Sequence, residues 1–192
     1  MLPHVCGSAS THAPYNECWR YMASVNSWEK TSNNITRNVN AAAKAYHEDW
    51  GIIMAGGRDE EGNCCSNNVT CTTSGEDFED LVLLQNSSYY HCVAGINSSH
   101  MFTTGLGLSD KNTYMYSTRS MQWDSLPAMP TGRRYAGCGL VRHSNSSVSV
   151  VVAGGLIANG DRVKTVEIYS IEEESWRTGI MPSNKSLLGN SL

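Results

Sequence analysis

Long apolar runs are missing from this 192-residue chain. The longest nearly apolar stretch, Val148 to Ala158, holds a serine and two glycines and falls well short of the roughly twenty residues a helix needs to cross a bilayer. No membrane-spanning helix is expected. Excess positive charge is missing too: 14 Lys and Arg against 18 Asp and Glu leave a net charge of −4. No basic stripe interleaves with aromatics, which argues against a nucleic-acid surface. Helical periodicity is nowhere sustained over three turns, and with 40% hydrophobic and 17% charged residues the composition points to an all-β globular body.

Patterns that carry chemistry are equally sparse. There is no Cys-X-X-Cys, and the six histidines stand at no metal-ligand spacing from Cys64, Cys65 and Cys71, so no zinc site is expected. Gly105-Leu106-Gly107 lacks the third glycine and the following helix of a dinucleotide fingerprint. The carboxylate runs Asp59-Glu60-Glu61, Glu76 to Asp80 and Glu172-Glu173-Glu174 read as solvated loop surface. Nothing marks a convergent acid, base and nucleophile, so neither catalysis nor a metal or other cofactor is expected.

What the chain does have is a period. Tyr21, Tyr116 and Tyr169 are each followed, seven residues on, by Trp28, Trp123 and Trp176. With nine Tyr and five Trp in the chain, chance predicts roughly a quarter of one such pair. A degenerate copy, Cys71 to Phe78, fills the widest gap and gives steps of 50, 45 and 53 residues. A second landmark follows the aromatic positions by 28, 27 and 31 residues: Gly56-Gly57, Gly105-Leu106-Gly107 and Gly154-Gly155, each after an apolar or β-prone run. A third, Met-Pro, follows two of the tryptophans at Met129-Pro130 and Met181-Pro182, where an extended strand cannot easily continue.

Each period therefore reads as apolar strand, glycine pair, loop, Tyr strand, tight turn, Trp strand, stop, and a further strand leading to the next apolar run. That is a four-stranded antiparallel meander. The nearly continuous apolar strands are buried on both faces, the glycines permit close backbone approach, and the Tyr and Trp rings pack between successive sheets. One such sheet cannot hide its own apolar faces, so neighbours must stack. Truncating Trp123 or Trp176 to alanine is expected to cost about 3–5 kcal/mol.

These residues, at this spacing and unit length, resemble the kelch repeat. The resemblance covers residues 18–182 and is most specific from Val148 to Pro182. It departs from the pattern at Gly-Leu-Gly and at Cys71 and Phe78. It implies a kelch-type β-propeller of about three to four four-stranded blades: a lead segment at 1–17, a partial blade at 18–34, blades at roughly 35–84, 85–130 and 131–182, and a tail or the start of a further blade at 183–192. Propellers close with about four to eight blades, so an incomplete ring is expected, either as a fragment of a longer protein or as a chain that completes the ring by self-association. An open arc leaves strand edges and apolar faces uncovered.

Seven cysteines and six Asn-X-Ser/Thr sequons, at Asn34, Asn68, Asn86, Asn97, Asn145 and Asn184, point to an extracellular or secretory origin, with a cytoplasmic one as the alternative. Met1 to Gly7 has neither a basic leader nor an apolar core and does not read as a signal peptide. Cys92 and Cys138 lie 14 and 15 residues after their aromatic landmarks, hence at matching places on first strands of adjacent sheets, and are a candidate disulfide. Cys64 with Cys71, within a loop, and Cys6 with Cys18 are further candidates. His47 and His91 are expected as hydrogen-bonded strand residues, while Trp19 and Trp50 lie off the grid as caps, packing groups or glycan platforms.

Recognition remains as the expected activity. In a meander, the loop after the glycine pair and the loop joining one sheet to the next emerge on one face, and loops there carry function. Those loops are Arg58 to Thr70, Ser109 to Thr113 and Leu156 to Lys164, with Glu29 to Asn40, Glu79 to Ser88 and Asp124 to Arg134. The resemblance implies that Arg58, Arg133 and Arg134 grip an acidic peptide segment, a task suited to the guanidinium fork; the alternative is that they bond loop carbonyls and neighbouring carboxylates. The expected function is a non-catalytic scaffold binding a protein or glycoprotein. Rival readings are the recognition half of a ubiquitin-ligase adaptor and a copper-radical oxidase, the latter requiring a Tyr-Cys crosslink and His ligands.

Overall fold

A computed structural model describes residues 4–6, 18–31, 41–58, 65–74, 77–106 and 110–181. The described residues form strands and no helix, so no helix among them is long and apolar enough to cross a membrane. Strands β1 (His4–Cys6), β2 (Cys18–Met22) and β3 (Ser27–Lys30) make a first, three-stranded sheet. The second holds β4 (Ala43–His47), β5 (Gly51–Ala55), β6 (Asn68–Thr72) and β7 (Glu79–Leu83). The third holds β8 (Cys92–Asn97), β9 (His100–Thr104), β10 (Thr113–Ser117) and β11 (Gln122–Leu126), and the fourth β12 (Gly137–Arg142), β13 (Val148–Ala153), β14 (Thr165–Ser170) and β15 (Ser175–Ile180). Every sheet is an antiparallel meander with its strands in chain order. The lead segment expected at 1–17 is not separate from the first sheet, because His4–Cys6 pairs with Cys18–Arg20.

The seven-residue step has a direct physical reading. Tyr21 faces Trp28, Tyr116 faces Trp123, and Tyr169 faces Trp176 across the last hairpin of their sheets. Each hairpin turns through four residues, the last of which, Asn26, Met121 or Glu174, has positive φ. The rings meet at centroid distances of 5.3, 5.4 and 5.1 Å, tilted by 54°, 48° and 56°, the offset geometry aromatic quadrupoles favour. The degenerate copy differs. A register shift at Val69/Thr70 sets Cys71 opposite Glu79, and Phe78, just before β7, packs with Met54 and Cys18 toward the first sheet.

Sheets stack through two larger cores. Ile53, Val69, Met101 and Tyr116 fill the space between the second and third; Phe102, Val150, Val152 and Tyr169 fill that between the third and fourth. Each of these seams also carries one indole bond: Trp123 Nε1 donates to the Leu83 carbonyl at 2.8 Å, and Trp176 Nε1 to the Pro127 carbonyl at 2.8 Å. The first strands β4, β8 and β12 run side by side. A Cβ on Gly95 of β8 would stand 2.7 Å from the His47 Cβ of β4, so only glycine fits there. The Cys92–Cys138 disulfide ties β8 to β12 with Cα atoms 5.7 Å apart.

Candidate functional site

Ala41, Tyr90 and Tyr135 each stand two residues before the first strand of their sheet, and all three have left-handed backbones, φ 60°, 56° and 57°. For tyrosine this conformation is costly and needs enforcement by its surroundings. The enforcement is a backbone ladder running from sheet to sheet: Tyr90 N–H donates to the Ala41 carbonyl at 2.9 Å, and Tyr135 N–H to the Tyr90 carbonyl at 3.2 Å.

That ladder gathers aromatic and cationic side chains from the second, third and fourth sheets. Tyr89 and Tyr90 meet at 5.1 Å, and Tyr90 and Tyr135 at 4.0 Å between ring centroids. The Arg58 guanidinium lies 4.1 Å over the Tyr89 ring and that of Arg134 5.3 Å over the Tyr135 ring. Arg134 is held by a two-way backbone bridge to Leu156, which follows Gly154-Gly155 as Arg58 follows Gly56-Gly57. Gly155 has φ 90°, and a Cβ there would collide with the Arg134 carbonyl. The Tyr90 hydroxyl is pushed toward higher pKa by burial and by Tyr135, with Arg58 opposing, so Tyr90 stays neutral.

Hydrogen-bonding capacity at this place is unspent. Of nine buried side-chain N or O atoms without a partner among the described residues, five belong to Arg58 Nε, Arg134 Nε, Ser88 Oγ and the two ring nitrogens of His91. Buried orphans are uncommon in folded proteins, and here they gather on the residues that surround the aromatic array. His91 lies beneath, close to Gly56, whose Cβ would stand 2.9 Å from the ring; burial pulls its pKa down to about 3. His91 is therefore neutral and unbonded, not the hydrogen-bonded strand residue expected. His47 accepts from the Asp49 N–H at 3.1 Å and stacks with Trp50 at 5.1 Å.

Arg133 must be corrected. It is 2% exposed, its Nη2 is 2.6 Å from Glu167 Oε1, and its other donors reach the carbonyls of Thr131, Gly154 and Thr165 and the Thr165 hydroxyl. The guanidinium is internal to the fourth sheet and free for no ligand. Adjacent residues point to opposite sides, so Arg134 emerges where Arg133 plunges inward.

The remaining candidates distribute as follows. Cys18 is disulfide-bonded and faces Cys6 in register. Cys65 is disulfide-bonded, whereas Cys64 lies outside the described residues. Cys71 is a free, buried thiol in β6, not in a loop, which rules out its expected bridge to Cys64; burial and Glu79 raise its pKa. Asn86, Asn97 and Asn145 are exposed, Asn68 sits on β6 because that strand begins earlier than the loop reading allowed, and Asn34 and Asn184 lie outside the described residues. So does Gly107. Among the described residues, no three His, Cys, Asp or Glu side chains converge as a metal site. The tyrosine pair was missed from the sequence. Its signal was there: Tyr90 and Tyr135 are 45 residues apart, the length of that repeat.

Compared with known proteins, the chain matches no family model and no curated protein sequence.

Proposed function

We propose that this chain is a non-catalytic protein-binding scaffold of kelch-type β-propeller architecture, holding an acidic segment of a protein or glycoprotein between Arg58 and Arg134. The observation that carries this reading is the Arg58, Tyr89, Tyr90, Tyr135, Arg134 array, two guanidinium groups seated on aromatic rings with no carboxylate partner among the described residues. Such forks take carboxylates bidentately, and aromatic faces beside them suit the apolar residues that flank an acidic motif. The four stacked meanders and the Tyr and Trp pairs support the kelch-type assignment. The Cys92–Cys138 disulfide supports an extracellular or secretory setting.

The test is fluorescence anisotropy with a labelled Asp/Glu-rich peptide, and a Lys-rich one as control. Arg58→Ala and Arg134→Ala are each expected to weaken the acidic peptide about tenfold or more, with binding falling as salt rises. Acidic-peptide binding that ignores both substitutions, or no preference over the Lys-rich control, would sink the proposal.

A further inference from the structure

The two ends of the sheet stack carry the two halves of a seam that the chain makes twice internally. On one side of each internal seam stands a Tyr and Trp face: Tyr116 with Trp123, and Tyr169 with Trp176. Both tyrosines are buried, at 4% and 1% exposure. The first sheet has the same face, Tyr21 with Trp28, and Trp19 lies on it too. Among the described residues no further sheet covers that face. Trp28 is 48% exposed and Trp19 39%, and no hydrogen bond of the Trp28 indole N–H is formed among the described residues.

The other side of each seam is an apolar face ending in a carbonyl acceptor. In the third sheet, Ala94, Phe102 and Met115 stand in one cross-strand row, and Ile96, two residues beyond Ala94, is 3% exposed beneath the fourth sheet. In the fourth sheet the matching row is Gly139, Val151 and Ile168, and Val141, in the place of Ile96, is 42% exposed. The acceptor position is fixed by a recurring backbone bond. Leu84, Met129 and Met181 donate to Asn67, Lys111 and Lys164, one or two residues before the third strand of their sheets. The acceptors Leu83 and Pro127 precede Leu84 and Met129 by one and two residues. The carbonyls in the same place before Met181 belong to Ile180 and Gly179, and Ile180 is 81% exposed.

We infer that the Trp28 face of one copy docks on the Val141 face of a second copy, head to tail, reproducing the internal seam with the Trp28 indole donating to the carbonyl at Ile180 or Gly179. The occupant follows from continuity with an interface already built twice into the chain: donor, plate, apolar row and acceptor recur in the same register. Because the seam joins unlike faces, the contact is heterologous, and a two-fold arrangement closes it by using both ends of both copies. Two copies of the four described sheets make eight, within the about four to eight around which such rings close. The inference rests on the seam and is independent of the Arg58 and Arg134 site.

Sedimentation equilibrium of the oxidised chain at micromolar concentration is the test. The expected mass is twice the 21.0 kDa of one chain. Trp28→Lys and Val141→Lys should each return the particle to a single-chain mass with far-UV circular dichroism unchanged. Trp28→Phe, which keeps the plate and removes the donor, should weaken association about tenfold; it also stands in should the lysine variant misfold. The inference is overturned by a wild-type single-chain mass, whether Trp28 emission reads as buried or as exposed. It is overturned equally by an assembly that both lysine variants leave intact, or by Trp28→Phe associating as tightly as wild type.

Discussion

Removing the Arg133 side chain tests whether the adjacent arginines divide between structure and recognition. Arg133→Ala deletes the Glu167 contact at 2.6 Å and strips the Gly154 and Thr165 carbonyls of a donor. Glu167, 0% exposed, is left as an uncompensated interior charge. Burial works against the guanidinium charge and Glu167 works for it, so the pair holds only while both members are present. Breaking one partner of a buried pair costs about 3–5 kcal/mol, whereas replacing both by apolar groups of similar volume is often close to neutral. Urea unfolding followed by circular dichroism, with the disulfides intact, should show Arg133→Ala losing about 3–5 kcal/mol at unchanged slope. Arg133→Met with Glu167→Leu should recover most of that loss. Well below its unfolding midpoint, Arg133→Ala should bind the acidic peptide as wild type does, unlike Arg134→Ala. A loss under about 1 kcal/mol, or a double variant no better than the single one, would refute the reasoning.

Three further outcomes are expected. Trp176→Phe should cost about 1 kcal/mol in the same urea titration, the net value of the bond to Pro127, and Trp176→Ala about 3–5 kcal/mol; no cost for Phe would mean that the 2.8 Å indole bond adds nothing to the seam. His91 has a folded pKa of about 3 against about 6.5 unfolded. The unfolded chain therefore takes up the proton first, and stability present above pH 6.5 drains away as pH falls toward 3. By pH 5 the loss is roughly 2 kcal/mol, so a His91→Phe variant should show a thermal midpoint flatter than wild type between pH 7 and 5, and parallel pH profiles would contradict this. Replacing Cys92 and Cys138 together by serine opens a link of sequence separation 46 and should lower stability by about 4 kcal/mol on the loop-entropy estimate, read as a reduced urea midpoint.

Much of the fold was legible because its marks are obligatory. Tyr21, Tyr116 and Tyr169 need a plate directly opposite, and a four-residue turn places that plate seven positions on. Gly56 and Gly154, both at φ 67°, stand where the backbone must turn left-handed. Cys71 and Phe78 were harder, since a register shift in β6 and β7 leaves no trace in hydropathy. The recognition site was half visible. The loop rule brought Arg58 and Arg134 to one face, but Arg133 was indistinguishable from its neighbour until burial separated them. Tyr90 and Tyr135 hold a conformation that their residue type disfavours, enforced by a cross-sheet ladder that no local propensity encodes.

The indole bond gives the stack a polarity. In the two larger seams the later sheet supplies the N–H and the earlier one the carbonyl, so a newly synthesised hairpin finds its acceptor already waiting on the unit made before it. Growth can proceed in one direction with a uniform fitting. Excision of one whole unit would deliver Trp176 to Leu83 with donor and acceptor chemistry preserved, which makes the repeat a modular tile whose number evolution can change without redesigning the joint.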